Sequence, residues 1–218
     1  FLRAYEEWSC HLFAHDGDEF GLAGIDVVEV QPIFVGWSVV DVNLSESDLF
    51  IDGQYEKDYS GRQIAWAGDV DGDDMSDILV AAPENGDAED GSGKLYLIQS
   101  THAAGTTSVD LHTVATAWTG SSDSSNLGGY VQSKALAGIG DIDGDSRADF
   151  MVGEPLYEHP TTGSPNGRAY MVLAASVSST DPTAIPSIET ADYIFEGPSY
   201  GQLGHAMVNI GDLNEMGT

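Results

Sequence analysis

Two short stretches of the chain carry aspartates at alternate positions, an arrangement that can turn several carboxylate oxygens toward one point. The first, GDVDGDDMSDILVAAP, spans residues 68–83, and the second, GDIDGDSRADFMVGEP, spans residues 140–155. Calcium is a hard cation that takes six to eight oxygen ligands in proteins. Crowded carboxylates repel one another, and a bound cation offsets that repulsion. The two stretches therefore predict two calcium sites.

Each stretch is interpreted as a nine-residue loop whose odd positions supply the ligands. Positions 1, 3, 5 and 9 would contribute carboxylates, and position 7 would contribute its backbone carbonyl. The predicted ligands are Asp69, Asp71, Asp73, Met75 and Asp77 in the first loop and Asp141, Asp143, Asp145, Arg147 and Asp149 in the second. A third start, GDLNEMGT at residues 211–218, offers Asp212 and Asn214 as a weaker site. It is weaker because Met216 stands at position 5 and its side chain has no hard oxygen.

An EF-hand and a chance cluster of aspartates are both less favoured for these loops than a calcium repeat. An EF-hand needs a glutamate at position 12, where this chain has Val80 in one loop and Val152 in the other. An acidic protein also produces aspartate clusters by chance on solvated turns. Two matches, each followed at the same distance by an apolar run and a proline, favour the calcium interpretation over chance.

The loops belong to a longer repeated unit. Asp69 and Asp141 lie 72 residues apart, and Asp212 follows 71 residues after Asp141. After each of the first two loops come a short apolar run, a proline, and then a glycine with an aromatic strand, GKLYLI or GRAYMVL. Short apolar runs of this kind indicate buried strands. Residues 48–51, 114–118 and 193–195 are predicted to supply a fourth strand per unit, and no segment has a sustained helical period.

Four short strands per unit predict an all-β fold, a β-propeller-type array of four-stranded antiparallel blades. About two complete blades and partial ones are expected. The predicted units are a first repeat at 48–110, a second at 111–188 and a truncated third at 189–218. Residues 1–47 do not fit the register, and they are left as an unassigned, strand-containing segment.

The composition excludes several classes of partner. Seven Lys and Arg residues stand against 36 Asp and Glu, which gives a formal net charge of -29. Such a surface repels nucleic acid, whose phosphates need the cations that this chain lacks. No apolar run approaches the length of a membrane span. Cys10 is the only cysteine, so no disulfide within the chain can form. A lone cysteine ordinarily favours a reducing compartment, but calcium could replace disulfides in stabilising an extracellular module.

Several motifs resemble those of the FG-GAP repeats of integrin α chains. They are the aspartate loops, VAAP at residues 80–83, SGRQIAWAG at residues 60–68 and LGHAMVNIG at residues 203–211. The resemblance covers residues 48–218 and implies a propeller in which calcium rigidifies a hairpin within each blade. It departs at loop position 6, where Asp74 and Ser146 replace the family's glycine, and at the GAP tripeptide, where the second unit has Glu154. A non-glycine residue at position 6 is expected to adopt a left-handed conformation at some cost, with reduced affinity.

The resemblance implies a calcium-stabilised, extracellular binding or adhesion scaffold without catalysis, whose protein or glycan partner binds on a propeller face. An accessory propeller of a secreted enzyme, a phospholipase or a polysaccharide-degrading protein, is an alternative. A lectin-like carbohydrate binder is a third; for it, Trp118 is predicted to be exposed and Trp66 to lie in the core. The sequence has no nucleophile elbow, phosphate loop or zinc-protease motif that would indicate an enzyme.

Overall fold

The structure is a computed structural model that describes residues 49–103, 105–114, 116–130, 132–177 and 185–211. These residues belong to one unit, Leu49–Thr218. The unassigned segment 1–47 lies outside the described residues, and so do Asp212 and Asn214 of the predicted third site. The prediction of an all-β protein is confirmed, because strands dominate the described part of the chain.

The described residues contain ten strands and a few short helical turns. The strands are β1 (Phe50–Asp52), β2 (Gln63–Gly68), β3 (Asp77–Ala82), β4 (Lys94–Ile98), β5 (Ser108–Asp110), β6 (Ala117–Thr119), β7 (Leu136–Gly140), β8 (Asp149–Glu154), β9 (Arg168–Val172) and β10 (Tyr193–Glu196). The helical turns are one four-residue α-helix at Ser100–Ala103 and 3₁₀ turns at Leu111–Thr113, Ala174–Ser176 and Ile188–Thr190.

Eight of the strands form two four-stranded antiparallel sheets, as in propeller blades. Sheet one has the order β2-β3-β4-β6, and sheet two has the order β7-β8-β9-β10. The second strand of each sheet, β3 or β8, is the apolar run that follows an aspartate loop, and it is almost wholly buried. Both sheets carry a register shift at the same place, between Trp66 and Gly68 in one and between Gly138 and Gly140 in the other. The repeat seen in the sequence is therefore a repeat of structure.

The fourth strand of each sheet follows the other three in the chain. Strand β6 pairs with β4, and β10 pairs with β9. Strand β1, which was predicted to complete the first unit, instead pairs in parallel with β5 in a separate two-stranded sheet. Sheet one therefore includes β6, which lies beyond residue 111, the predicted start of the second repeat. The repeat boundaries at 48–110, 111–188 and 189–218 stay predictions.

The main core lies between the two sheets. It consists of Ala67, Val70, Leu79, Ala81, Leu95, Leu97, Trp118 and Leu127 on one side and Leu136, Phe150, Val152, Tyr170, Val172, Ala174 and Ile188 on the other. Trp118 meets Phe150 edge to face, with ring centroids 5.5 Å apart. Burying a large apolar side chain stabilises a fold by about 1.5–3 kcal/mol, so this layer holds the two sheets together.

The predicted roles of two tryptophans were wrong. Trp118 is only 6% exposed because its ring faces the core, whereas Trp66 is 70% exposed. Along β2, Ala65 and Ala67 face sheet two, so the alternation of the strand turns Ile64 and Trp66 to the opposite face. The alternation of a strand places Ile64 and Trp66 on one face, but it does not determine which face the second sheet covers.

A backbone signature repeats three times in the segments that precede the first strand of a unit. Three residues at alternate positions have left-handed φ angles: Lys57, Tyr59 and Gly61 (70°, 55°, 81°), Ser124, Asn126 and Gly128 (55°, 55°, 82°), and Tyr200, Gln202 and Gly204 (62°, 47°, 86°). The second segment bridges the sheets, since Leu127 N–H donates to Ser92 at 2.9 Å and Gly128 N–H donates to Gly153 at 2.8 Å. The second segment therefore joins sheet two to sheet one, whereas Gly61 N–H of the first segment donates to the Ala81 carbonyl oxygen of its own sheet.

Candidate metal centres

The aspartate loops occupy equivalent places in the two sheets. The first joins β2 to β3, and the second joins β7 to β8. Each loop begins after a glycine with a left-handed backbone, Gly68 (φ 88°) or Gly140 (φ 78°), that ends the first strand of its sheet. Each loop ends on a fully buried aspartate, Asp77 or Asp149, which is the first residue of the next strand. Both ends of each loop are thus held by a sheet.

The structure brings three of the four predicted carboxylates of each loop together. Carboxylate oxygens of Asp69, Asp71 and Asp77 lie within 4.8 Å of one another, and so do those of Asp141, Asp143 and Asp149. Oxygens on opposite sides of a calcium ion are about 4.6–5.2 Å apart, so this spacing fits one ion bound by all three. The donor set, carboxylate oxygen alone, also suits a hard cation.

The position-5 aspartates lie outside these two groups. One oxygen of each, Oδ1 of Asp73 or of Asp145, accepts from the backbone N–H at position 7, at 2.9 Å in both loops. The other oxygen has a different partner in each loop. Asp73 Oδ2 accepts from the Ser100 hydroxyl, and Asp145 Oδ2 accepts from the Arg147 guanidinium. The ligand roles predicted for these aspartates and for the carbonyls of position 7 stay predictions.

The internal hydrogen bonds of the two loops are nearly identical. The position-1 carboxylate accepts three backbone N–H groups, those of positions 4, 5 and 6. The distances are 2.7, 3.1 and 2.9 Å at Asp69 and the same at Asp141. The position-3 carboxylate of each loop accepts from the N–H of position 5 at 3.2 Å. The loop backbone thus holds its carboxylates in a fixed orientation.

The residue at position 6 of each loop has the left-handed backbone conformation that was expected of a residue standing in place of the family's glycine. Asp74 has φ 67° and Ser146 has φ 71°. For a residue with a Cβ this conformation costs about 1–2 kcal/mol. The three N–H bonds to the position-1 carboxylate include the N–H of position 6 itself, which compensates part of that cost.

The buried aspartate at position 9 ties each loop to the segment that follows the third strand of its sheet. Asp77 accepts from Val70 N–H and from Ser100 N–H, both at 2.9 Å. Asp149 accepts from Ile142 N–H and from Ala174 N–H, both at 2.8 Å. Each carboxylate oxygen keeps a lone pair after accepting one bond, so neither bond excludes a metal. Sequence reasoning missed Ser100 and Ala174, which lie far from the loops in the chain.

Burial and like charge raise the pKa values of two carboxyls in the first loop. Desolvation, followed by the charge of Asp73 and then that of Asp69, raises the pKa of Asp71. Desolvation also raises the pKa of Asp77, against the lowering effect of its two backbone hydrogen bonds. In the second loop, the N–H and then the side chain of Arg147 lower the pKa of Asp145. The first loop therefore holds its negative charge at a cost that a bound cation would relieve.

The two loops touch each other. Ala148 N–H, in the second loop, donates to the carbonyl oxygen of Asp69, in the first. The aliphatic part of Arg147 passes over Gly72, since Cδ and Cγ lie 3.4 and 3.6 Å from where a Cβ would stand on that glycine. The candidate sites are thus neighbours at one edge of the two sheets.

The FG-GAP repeat family model matches residues 60–98. Residues 60–98 are therefore similar to an FG-GAP repeat. The match contains β2, the first aspartate loop, β3 and β4, and so the resemblance inferred from the sequence is confirmed there. Beyond it, the second loop lies in an equivalent four-stranded sheet with an equivalent register shift, and its position-1 carboxylate accepts the same three backbone N–H groups as in the matched loop. No curated protein matches the chain.

The match to the FG-GAP repeat and the four-stranded antiparallel sheets together support a propeller-like fold for this part of the chain. The matched part contains one of the two acidic clusters in full. None of the helices in the described part of the chain has the length and apolarity needed to cross a membrane.

Proposed function

We propose that the two aspartate loops bind Ca²⁺ and that the protein is a calcium-stabilised extracellular scaffold for binding or adhesion, without catalysis of its own. The observation that carries the proposal is the convergence of three carboxylates in each of two loops with matched hydrogen bonds. In the first loop, Asp69, Asp71 and Asp77 would hold the ion, and Asp73 and the carbonyl of Met75 would complete the shell. Asp141, Asp143, Asp149, Asp145 and the carbonyl of Arg147 would do the same in the second.

The ion would crosslink two neighbouring strands within each sheet. Its ligands come from both ends of the hairpin loop, so binding would join the first strand of the sheet to the second. Modules that bind calcium outside cells have dissociation constants of about 10⁻⁴–10⁻³ M, and this range is expected here. At a calcium concentration about tenfold above the dissociation constant, each site would stabilise the fold by about 1.4 kcal/mol.

Isothermal titration calorimetry of the full chain tests the proposal. Two calcium ions are expected to bind, and Asp71→Asn and Asp143→Asn are each expected to abolish one site. Asp90→Asn is the matched control, because it removes the same charge from an exposed aspartate outside the loops. Binding that is absent, or that Asp90→Asn weakens as much as the loop variants do, would overturn the proposal.

The partner of the scaffold is proposed to be a protein or a glycan that binds on a propeller face away from the calcium loops. The glycan alternative has one specific observation in its favour, the Trp66 side chain at 70% exposure, since indole rings stack on sugars. A glycan array with the wild-type chain and Trp66→Ala tests it. Binding that survives the substitution would remove Trp66 from this role.

A further inference from the structure

The two aspartate loops have matching backbones, but Oδ2 of the position-5 aspartate has a different hydrogen-bond partner in each. In the first loop, Asp73 Oδ2 accepts from the neutral hydroxyl of Ser100. In the second loop, the residue equivalent to Ser100 is Ala174, which has no hydroxyl; both residues donate a backbone N–H to the position-9 aspartate. Asp145 Oδ2 accepts instead from Arg147 Nη2 at 2.6 Å and Nε at 3.1 Å. The Oδ2 atom of the position-5 aspartate is thus bonded to a neutral hydroxyl in the first loop and to a positively charged guanidinium in the second.

We propose that Arg147 sets the calcium affinity of the second loop, because its guanidinium occupies Oδ2 of Asp145, the oxygen that the backbone N–H of Arg147 leaves unbonded. This inference rests on the proposed binding of calcium in the loops. Before Asp145 can bind calcium through Oδ2, the two guanidinium bonds must break. A guanidinium that stays near the site opposes the ion by like charge. The second loop therefore binds calcium more weakly than the first, although their backbones are the same.

The proposed difference in calcium affinity between the two loops depends on the side chain at position 7. Met75 in the first loop and Arg147 in the second both supply a backbone N–H to the position-5 carboxylate at 2.9 Å. Only their side chains differ, and the Arg147 side chain is partly exposed, at 33%. An exposed ion pair of this kind is weak, so its loss changes an equilibrium constant by about threefold to fivefold. The effect falls as ionic strength rises, because salt screens exposed charges.

An exchange of side chains between the loops tests the inference. Arg147→Met gives the second loop the side chain of the first and keeps an unbranched apolar stem over Gly72. Met75→Arg is the reciprocal change. Calcium is titrated into the isotopically labelled full chain, and the amide signals of Gly72 and Gly144 report the first and second loop separately. The wild type is expected to fill the first loop at a lower calcium concentration.

Arg147→Met is expected to raise the affinity of the second loop about threefold to fivefold and to leave that of the first within about twofold. Met75→Arg is expected to lower the affinity of the first loop, and by less than that factor, because Ser100 remains on Asp73. An unchanged or lower affinity of the second loop in Arg147→Met overturns the inference while calcium binding itself stands. If neither glycine signal responds to calcium in any variant, the proposed function fails together with the inference.

Discussion

The backbone N–H of Ala148 donates to the carbonyl oxygen of Asp69 across 2.6 Å, which joins the second aspartate loop to the first. The contact is close enough that a Cβ on Gly68 would lie 2.5 Å from the Ala148 Cβ. Gly68 also has φ 88°, a conformation that residues with a Cβ rarely adopt. A side chain at residue 68 would therefore force the two loops apart at this contact.

Gly68→Ala is expected to lower the free energy of unfolding by more than left-handed strain alone, which costs about 1–2 kcal/mol. The additional loss comes from the contact with Ala148. Gly140→Ala is the matched control, since Gly140 has φ 78° at the equivalent position but nothing within 4 Å of its added Cβ. Urea denaturation measures both variants. Equal losses would mean that the contact between the loops does not contribute to stability.

Calcium is expected to raise the melting temperature more at pH 7.5 than at pH 4. In the metal-free loop, burial raises the pKa of Asp77 above its ordinary value of 3.8, and the same holds for Asp71. A raised carboxyl pKa favours the folded state at low pH, and this stability is lost as pH rises through the raised pKa. Calcium binds the deprotonated loop and restores the stability there. Thermal melts with calcium or chelator at the two pH values test this, and an equal calcium effect at both would contradict it.

Glu154→Gln is expected to destabilise the fold by about 1–3 kcal/mol. Glu154 is fully buried and accepts four hydrogen bonds of 2.6–2.7 Å, from Ser121 N–H, Ser121 Oγ, Ser125 Oγ and Tyr170 OH. Burial, and then the Glu154 charge, raises the pKa of Tyr170, so the phenol remains a donor. An amide nitrogen in place of one oxygen cannot accept these bonds. Urea denaturation is the measurement, with the exposed Glu158→Gln as control; similar stabilities would refute the expectation.

Arg168→Met is expected to lower the free energy of unfolding at neutral pH. In this variant the free energy of unfolding is also expected to fall less than in the wild type when the solution is acidified. The guanidinium lies 3.5 Å from the Tyr157 ring centroid and bonds Glu196. Desolvation raises the pKa of Glu196, but hydrogen bonds from Asn166 and Arg168 outweigh it and lower the pKa overall. A lowered carboxyl pKa stabilises the fold above the ordinary pKa and loses that stability as pH falls through the lowered one.

The Arg168 prediction is measured by unfolding at pH 7 and at pH 3. The expected loss at pH 7 is about 1–2 kcal/mol, with a smaller difference from wild type at pH 3. Arg62→Met is the matched control, because Arg62 lies over the Tyr59 ring at 5.1 Å without a carboxylate partner among the described residues. A loss at pH 3 as large as at pH 7 would assign the role of Arg168 to packing alone.

The aspartate loops, the repeat and the strands could be predicted from the sequence, because their causes are local. Asp69, Asp71 and Asp77 lie within nine residues of one another, so a tight turn is enough to bring their carboxylates close together. The apolar run of β3 and the left-handed conformation at Asp74 also follow from a few adjacent residues. The pattern of two like units predicted four-stranded sheets, and the structure confirms them.

Tertiary structure decided what depends on residues far apart in the chain. Whether Trp66 or Trp118 is buried depends on which face of sheet one meets sheet two, and the alternation of a strand is the same for either choice. Sheet one is completed by β6, which lies beyond residue 111, the predicted start of the second repeat. The sequence pattern does not show which of two candidate strands lies beside β4 in space. Likewise, Asp73 meets Ser100 because the segment after β4 passes the first loop, whereas the equivalent residue after β9, Ala174, has no hydroxyl to offer Asp145.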